Sequence, residues 1–390
     1  MTQRLDRRSL LLTTAAAAAG LLVLPVAADG APPEATPSPA PAEPPAAPGP
    51  IRLGQNENPW GPSPAARAAA EAAAAEGNRY PFGVADFEAL LARREGLPPQ
   101  SAVVAAGSHA VLCTAALAFG RDGEVVSPHP TYPAVADYAA NLGLPLHRVP
   151  LASGHVLDLP AMEAKVSAST RLVYVCNPNN PTGTVVPPVA LRAFCERVAR
   201  KAVVVVDEAY GDLASPSVFA SVVGLVRDGA SVVVTKTFSK VHGLAGLRIG
   251  YALARKDLAE RLRRLRMGGA PLAVSNVAVA AARASLDDEP FLADSRRRIA
   301  EGRARLTAFL KEEGFDVPPS EGNFVYAPLA SGAEAVRKGV EARGVRIREM
   351  VGGLRVSVGT SEQLDRFFGA FREARRAASA TPGGAGAPGA

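Results

Sequence analysis

The sequence predicts an α/β fold built on a mostly parallel sheet. Two runs of apolar, largely β-branched residues support this prediction: residues 172–176 (Leu-Val-Tyr-Val-Cys) and residues 203–206 (four valines) before Asp207. Strands that are covered on both faces read as continuous apolar runs, as these do. The chain has 390 residues, of which 48% are hydrophobic, so it is long enough for two packed domains.

Polar residues follow both predicted strands. Asp207 ends the second strand, and residues 177–184, with two prolines and one glycine, end the first. In open α/β sheets ligands bind outside the carboxyl ends of strands, so Asp207 and Asn180 are candidate site residues. Asp207 can keep a pyridine nitrogen protonated, and the Asn180 amide can donate to a phenolate oxygen. The alternatives are that Asp207 caps the following helix and that Asn180 belongs to an ordinary turn.

A third observation is a segment that combines an amine with a cation. Residues 237–240 read Thr-Phe-Ser-Lys, and Arg248 follows eight positions after Lys240 in a glycine-rich stretch. A lysine amine can bond an aldehyde and an arginine can hold a phosphate, and pyridoxal 5'-phosphate carries both of these groups. A solvated loop with surface charges is the alternative for this segment taken alone.

Ordered motifs along nearly the whole chain extend these signals. They lie at residues 53–59, 61–64, 79–83, 130–132, 176–184, 207–210, 237–251, 322–324 and 353–360. In the order and spacing of these motifs the chain resembles the fold type I pyridoxal-phosphate aminotransferases from about residue 51 to residue 372, and within them the histidinol-phosphate aminotransferase branch. The resemblance implies a large domain with a mostly parallel mixed sheet between layers of helices (residues 64–267). It also implies a smaller α+β domain (residues 51–63 and 268–376).

The resemblance also implies roles around the cofactor. Lys240 would bond the cofactor and then move a proton between the substrate α-carbon and the cofactor, while Asp207 would pair with the pyridine nitrogen. Asn180 and Tyr210 would hydrogen-bond the ring hydroxyl oxygen, and Tyr132 would stack on the ring face. The residues implied for the phosphate are Arg248, Thr237, Ser239, Ser108, His109 and, reaching in from a second subunit, Tyr80.

Substrate contacts are implied in the same way. Arg355 would form a bidentate pair with the substrate carboxylate, which suits a planar guanidinium, and Asn180 and Asn56 would also bind substrate. Arg348 would face a distal group of the substrate or lie at a strand end on the surface. His109 would support the cofactor phosphate or simply pack. The implied protein is a homodimer with shared active sites that transfers an amino group from an amino acid to a 2-oxo acid.

The chain departs from the family pattern at several positions. Ala105 stands where a glycine is common, His109 and Ala110 stand where an acidic residue is common, and residues 270–275 lack the usual aromatic and asparagine. These departures alter pocket walls and, together with the N-terminal segment described next, predict a substrate other than histidinol phosphate. A related pyridoxal-phosphate decarboxylase or oxidase, and a non-catalytic binding protein on the same fold, remain alternatives.

The N-terminal segment predicts export to the periplasm or another extracytoplasmic space. Arg7 and Arg8 form a twin-arginine pattern before an Ala/Leu stretch, and residues 26–28 (Val-Ala-Ala) offer a cleavage site. Residues 1–28 are interpreted as a twin-arginine signal peptide, too short and too rich in alanine for a membrane anchor. A cytoplasmic enzyme with a chance basic start is the alternative. Residues 29–50 read as a Pro/Ala-rich linker and residues 377–390 as a disordered tail.

Charge and cysteine content argue against other classes of protein. The net charge of +6 comes largely from arginines in predicted helices, without a DNA-binding motif or interleaved aromatics, so nucleic-acid binding is not predicted. The three cysteines form no CxxC pair and the histidines are scattered, so no metal site is predicted.

Overall fold

The strands form three sheets within residues 49–266 and 271–380, which the computed structural model describes. The strands are β1 (Ile51–Arg52), β2 (Ala102–Ala105), β3 (Glu124–His129), β4 (Leu146–Pro150), β5 (Thr170–Cys176), β6 (Val203–Asp207), β7 (Val232–Thr237), β8 (Gly250–Ala254), β9 (Phe324–Pro328), β10 (Val345–Arg346), β11 (Arg348–Met350) and β12 (Gly353–Ser357). The large sheet has seven strands in the order β2-β8-β7-β6-β5-β3-β4. Strands β3 to β7 are parallel, and β8 runs antiparallel to β7 and β2. The predicted α/β fold with a mostly parallel mixed sheet is confirmed.

Helices cover both faces of the large sheet. The helices are α1 (Pro64–Ala74), α2 (Val84–Arg94), α3 (Ser108–Ala115), α4 (Ala134–Asn141), α5 (Leu159–Ala164), α6 (Pro188–Val198), α7 (Val223–Arg227), α8 (Lys256–Leu265), α9 (Asn276–Leu286), α10 (Glu289–Glu312), α11 (Ala333–Glu341) and α12 (Ser361–Ala380). On β5, Val173 and Val175 enter a hydrophobic cluster with α2 and α6, whereas Leu172 and Tyr174 enter a second cluster with α3, α4 and α8. Each fully buried aliphatic side chain contributes roughly 1.5–3 kcal/mol, which explains why these strands are apolar at nearly every position.

A three-stranded antiparallel sheet, β11-β12-β9, forms a smaller second layer of structure. Helices α10, α11 and α12 pack on it through a cluster that includes Phe309, Phe367 and Phe371. Residues 53–58, called the 53–58 segment below, run beside this sheet: Ser357 N donates to Leu53 O over 2.8 Å. The segment therefore has a fixed place between β12 and the large sheet.

The predicted division into a large and a small domain stays a prediction. The cluster of the three-stranded sheet draws on Leu53 and on residues 306–374. Helix α9, which the predicted boundary places in the small domain, packs against α1 and adds Ala278 and Ala281 to the first cluster of the large sheet. Helix α12 continues to Ala380, past the predicted start of the tail at residue 377, because alanine favours helix.

The predicted signal peptide (residues 1–28), most of the predicted linker and the rest of the tail lie outside the described residues. In the described ranges no helix has both the length and the apolar content that crossing a bilayer requires. Over the same ranges no group of three His, Cys, Asp or Glu side chains is arranged to hold a metal ion.

Candidate active site

The candidate site lies at one edge of the large sheet. Strands β2, β3, β5, β6 and β7 all end there, because β8 is antiparallel to both β2 and β7. A cavity of about 1440 Å³ opens at this edge, and every residue predicted for the site lines it except Tyr80. Tyr80 is 76% exposed in the single chain. Its predicted role across a subunit boundary stays a prediction.

Lys240 lines the cavity and is part-buried. Its Nζ donates to the backbone oxygen of Asn56 over 3.0 Å and lies 5.4 Å from the centroid of the Tyr210 ring. Burial, followed by the positive charge of Arg355, lowers the pKa of Lys240 to about 8, while Asp207 opposes this shift. A lysine with a lowered pKa is partly neutral near physiological pH, so its amine can act as a nucleophile or as a general base.

Asp207 is the last residue of β6 and is buried. Its Oδ1 accepts from Thr235 Oγ1 over 2.8 Å and from Ala209 N over 3.3 Å, and Tyr174 OH donates to Oδ2 over 3.4 Å. Burial raises the pKa of Asp207 to about 6, and these hydrogen bonds oppose the shift. A buried carboxylate in such a setting gains most from a cationic partner, and a protonated pyridine nitrogen supplies one.

Two amide groups fix the hydroxyl of Tyr210. Asn56 Nδ2 donates to Tyr210 OH over 3.0 Å, and Asn180 Nδ2 donates to it over 3.3 Å. Because Arg355 Nη1 donates to Asn180 Oδ1 over 2.6 Å, the orientation of the Asn180 amide is set by its neighbours. Burial raises the pKa of Tyr210 and so keeps its proton in place. With two donors already on its oxygen, the hydroxyl can direct that proton to an acceptor in the cavity.

The other end of the cavity is suited to an anion. Ser108 begins α3, and Arg248, Thr237 and Ser239 surround this helix start. A Cβ atom at Gly107 would lie 2.5 Å from Arg248 Nη2, and one at Gly250 would lie 2.4 Å from Ser108 N. Glycine at both positions therefore lets the guanidinium and β8 approach the helix N-terminus. Backbone N–H groups, hydroxyls and a guanidinium together form a phosphate site.

His109 contacts Tyr132 in this structure. Its Nδ1 lies 3.0 Å from Tyr132 OH, and its Nε2 lies 3.6 Å from Cys113 Sγ. Burial and the charge of Arg248 lower the pKa of His109, and burial raises the pKa of Tyr132 to about 12. Both ring nitrogens of His109 thus have protein partners, which agrees with the alternative that His109 packs against its neighbours. A contact between His109 and the cofactor phosphate stays a prediction.

Arg355 and Arg348 face each other at the substrate end. They are direct neighbours in the register of β11 and β12. Arg355 is only 7% exposed: its Nη2 donates to Gly54 O over 2.8 Å, and its buried Nε has no partner among the described residues. Arg348 is exposed and forms no ion pair within the described ranges. The cavity is therefore lined by a buried guanidinium beside a second guanidinium that has no ion pair among the described residues, and both favour an anionic ligand.

Asn56 lines the cavity, and its side chain is bonded to the protein, while its predicted substrate contact stays a prediction. Its Nδ2 donates to Tyr210 OH, and its Oδ1 accepts from Ser357 Oγ over 3.0 Å. Asn56 is 1% exposed, and its amide orients the hydroxyl of Tyr210. The sequence also gave no role to Thr235, which supports Asp207, or to Asn323, which donates to the 53–58 segment. Residues 322–324 formed a motif that could have pointed to Asn323, whereas Thr235 carried no signal without the strand register.

Taken together, these groups fit pyridoxal 5'-phosphate. Lys240 would supply an amine for its aldehyde, Asp207 a carboxylate for its ring nitrogen, and Tyr210 a donor for its ring oxygen. The start of α3 with Arg248 would hold its phosphate. Bound pyridoxal phosphate supplies an electron sink that makes the α-proton of an amino acid acidic.

Known proteins agree with this assignment. The sequence profile of the family described as aminotransferase class I and II matches residues 48–371. The chain is 40% identical over 331 residues to histidinol-phosphate aminotransferase of Symbiobacterium thermophilum, covering 83% of this chain and 90% of that protein. It is 38% identical over 327 residues to aromatic amino acid aminotransferase of Mycobacteroides abscessus, covering 82% of this chain and 92% of that protein.

Solved structures point the same way. Histidinol-phosphate aminotransferase from Sinorhizobium meliloti, in complex with pyridoxal-5'-phosphate, superposes with a TM-score of 0.77 at 29% identity, covering 84% of this chain and 91% of that one. A structure described as a putative histidinol-phosphate aminotransferase from Erwinia carotovora atroseptica gives a TM-score of 0.79 at 30% identity, covering 84% and 96%. The chain belongs to the class I and II aminotransferases, and it is a pyridoxal-phosphate-dependent transaminase that acts on amino acids and 2-oxo acids.

Proposed function

We propose that this transaminase takes an amino acid with two anionic groups, its α-carboxylate and a second group at the far end of its side chain. The observation that carries the proposal is the pairing of Arg348 with Arg355 across β11 and β12. Like charges directly opposite each other on a sheet destabilise it, so an anion between or beside them offsets a cost that the free protein bears.

The other arginines around the cavity mouth contrast with Arg348. Arg337 pairs with Glu341 and Glu349, and Arg346 pairs with Glu341. Arg52 pairs with Glu57. An arginine left without such a partner keeps all its donors for a ligand. The relatives are named for histidinol phosphate and for aromatic amino acids. Neither compound carries an α-carboxylate together with a second anionic group, so the proposed substrate differs from both.

The residues of the chain divide the work of this reaction. Arg355 holds the α-carboxylate and thereby decides which bond at the α-carbon faces the reacting centre. Lys240 accepts the α-proton with its neutral amine and can return it on the opposite half of the cycle. Asp207 would keep the pyridine nitrogen of the cofactor protonated, and the Tyr210 hydroxyl would hydrogen-bond the ring oxygen of the cofactor. Arg348 contributes to binding alone.

Substitution of Arg348 tests the substrate proposal. In Arg348→Gln the rate at which glutamate bleaches the visible absorption of the holoenzyme in a single turnover, measured below saturation, should fall about 10- to 100-fold, because one charge-assisted hydrogen bond is lost. Phenylalanine should react as with the wild type. Arg346→Gln is the matched control, since it removes the neighbouring charge that Glu341 already pairs.

Equal losses for glutamate and phenylalanine, or equal losses in the two variants, would contradict a distal anion site at Arg348. Histidinol phosphate belongs in the same series. A substrate other than histidinol phosphate is proposed because of the export signal discussed below, so histidinol phosphate should react more slowly than the best amino acid tested.

We further propose that the enzyme is a homodimer whose sites are shared. Tyr80 and Phe82, between α1 and α2, are 76% and 80% exposed, and large exposed apolar side chains close together favour contact with another surface. In mixed dimers of Tyr80→Ala and Lys240→Ala chains, one of the two sites would carry neither substitution. Random mixing should then restore about a quarter of wild-type activity. No recovery in a confirmed mixed dimer would show that Tyr80 acts within its own chain or not at all.

Export through the twin-arginine route is the last part of the proposal, and it is supported by the sequence at Arg7 and Arg8. The double variant Arg7→Lys, Arg8→Lys keeps the charge and removes the twin-arginine pattern. It should leave the full-length protein in the cytoplasm, whereas the wild type should be found outside it, shortened by about 28 residues in its mass spectrum. If the wild type and the double variant are both found in the cytoplasm at full length, the protein is a cytoplasmic enzyme and the export proposal is wrong.

A further inference from the structure

The backbone oxygen of Asn56 has two donors. Lys240 Nζ lies 3.0 Å from it, and Asn323 Nδ2 lies 2.9 Å from it. Asn323 is fully buried, and its Nδ2 also reaches Glu57 O over 3.1 Å. One side chain therefore holds two consecutive carbonyl groups of the 53–58 segment, and the first of them faces the reactive lysine.

The orientation of the Asn323 amide follows from its neighbours. Carbonyl oxygens only accept hydrogen bonds, so the NH₂ group of Asn323 must face Asn56 and Glu57. Its Oδ1 is then left buried without a partner in the part of the chain that the structure describes. A buried acceptor without a partner destabilises a fold. The hydrogen bonds to the two carbonyls offset that cost.

The conformation of Asn56 points the same oxygen at Lys240. Asn56 has a φ of 54°, in the left-handed region that non-glycine residues seldom adopt, although asparagine adopts it more readily than most. Its backbone N donates to Ser357 Oγ over 2.8 Å, and its side chain bonds Tyr210 and Ser357. Every polar atom of Asn56 thus forms a hydrogen bond. These bonds maintain the unusual backbone conformation of Asn56, whose carbonyl oxygen accepts from Lys240 Nζ.

Lys240 needs such an acceptor because its other neighbours act through charge and not through direction. The charged groups that affect its amine are Asp207 and Glu57, which favour the ammonium form, and Arg355 and Arg248, which oppose it. None of these charged groups is a hydrogen-bond partner of Nζ in this structure, whereas the Asn56 carbonyl lies at hydrogen-bond distance. A lysine side chain has many rotamers, so a fixed acceptor also limits where the amine can lie.

We propose that Asn323 is a positioning residue that fixes the Asn56 carbonyl oxygen as the acceptor for the Lys240 amine. The inference concerns the lysine itself and holds for any amino donor, so it does not depend on the substrate proposed above. It assigns a role in the reaction to a residue directly before β9 that does not line the cavity.

The test is the pKa of Lys240 in the full-length chain without cofactor. Trace acetylation with acetic anhydride over a pH series, read peptide by peptide in a mass spectrometer, gives the midpoint at which the amine becomes reactive. The wild-type midpoint should lie near 8. In Asn323→Ala the ammonium form loses its aligned acceptor, so the midpoint should fall by about half a unit to one unit. Exposed Lys256 serves as the internal standard.

Asn58→Ala is the matched control. Asn58 is also a buried amide of the same segment, and its Nδ2 donates to Val241 O over 3.0 Å and to Ser295 Oγ over 3.3 Å, and to neither of the carbonyls that Asn323 holds. It should leave the midpoint unchanged. If Asn323→Ala does not fold, Asn323→Ser, whose hydroxyl is too short to reach both carbonyls, takes its place. An unchanged midpoint in the Asn323 variant, or an equal fall in Asn58→Ala, would overturn the proposal.

Discussion

The two ends of the cavity are built in different ways. At the cofactor end Asp207, Lys240 and Arg248 come from one edge of the large sheet, and strand ends and a helix start set their positions. At the substrate end Arg355 and Arg348 come from the three-stranded sheet, and side-chain bonds to Asn180 and Gly54 set the position of Arg355. The cofactor end thus depends on the backbone of the large sheet, whereas the substrate end depends on a few side chains of the three-stranded sheet.

This difference has a consequence for substitution. A change at the cofactor end meets backbone atoms, as at Gly250, where an added Cβ would lie 2.4 Å from Ser108 N and 2.9 Å from the carbonyl carbon of Gly107. A change at Arg348 meets solvent. The substrate end can therefore vary while the cofactor end cannot, which agrees with relatives of about equal identity that are named for different substrates.

The largest expected effect is at Lys240. Lys240→Ala should lower the single-turnover rate more than about a thousandfold, because both the amine that bonds the cofactor and the general base are lost. The variant should still bind pyridoxal phosphate, since Asp207 and Arg248 stay in place. Absorbance spectra and single-turnover kinetics measure the two properties separately, and Lys256→Ala, at an exposed position, is the control. Loss of cofactor binding together with the rate would mean that the cofactor end is not held by the backbone as described.

A smaller effect is expected at Arg355. Arg355→Lys keeps the charge but removes the planar pair of donors, so kcat/KM for the amino acid should fall about 100-fold. Cofactor affinity, measured by titrating the cofactor-free protein, should change little. A variant in which cofactor affinity falls as much as kcat/KM would show that the two ends of the cavity are coupled through Asn180.

The smallest expected effect is on the pH dependence of the free energy of unfolding, and it is expected at His242, two residues after Lys240. His242 is buried with its Nδ1 2.7 Å from Ser285 Oγ, and burial lowers its pKa to about 4. Because the folded-state pKa lies below the ordinary value of 6.5, the stability that the neutral ring contributes is complete above pH 6.5 and is lost as the pH falls toward 4.

His242→Gln removes this titration. The free energy of unfolding of the wild type should therefore fall by about 2 kcal/mol more than that of His242→Gln between pH 7.5 and pH 5. Urea unfolding at the two pH values measures the difference, and His129→Gln, at an exposed position, should behave as the wild type. Equal losses in wild type and His242→Gln would place the pH sensitivity elsewhere in the molecule.

The sequence predicted best what is continuous along the chain. The strands at residues 172–176 and 203–207 were visible because burial on both faces leaves few polar positions. Asp207 is the last residue of β6, and Lys240 lies three residues after the end of β7. Contacts between segments that are far apart in the sequence produce no comparable pattern in it. Thr235 meets Asp207 only through the register of β6 and β7, and Asn323 reaches Asn56 across 267 positions. Helix α9 is rich in alanine, and its composition does not say which sheet it packs on.

The 53–58 segment joins the two sheets through the same few bonds that hold the site. Leu53 N donates to Arg346 O over 2.7 Å, and Asn56 N donates to Ser357 Oγ over 2.8 Å. Neither amide can reach solvent unless the segment leaves β10 and β12, and its departure also removes the Asn56 groups that bond Lys240 and Tyr210. Amide hydrogens in this segment should thus exchange in a single opening event with those of β12. Local unfolding of this one short segment would then dismantle the catalytic centre while the large sheet stays folded.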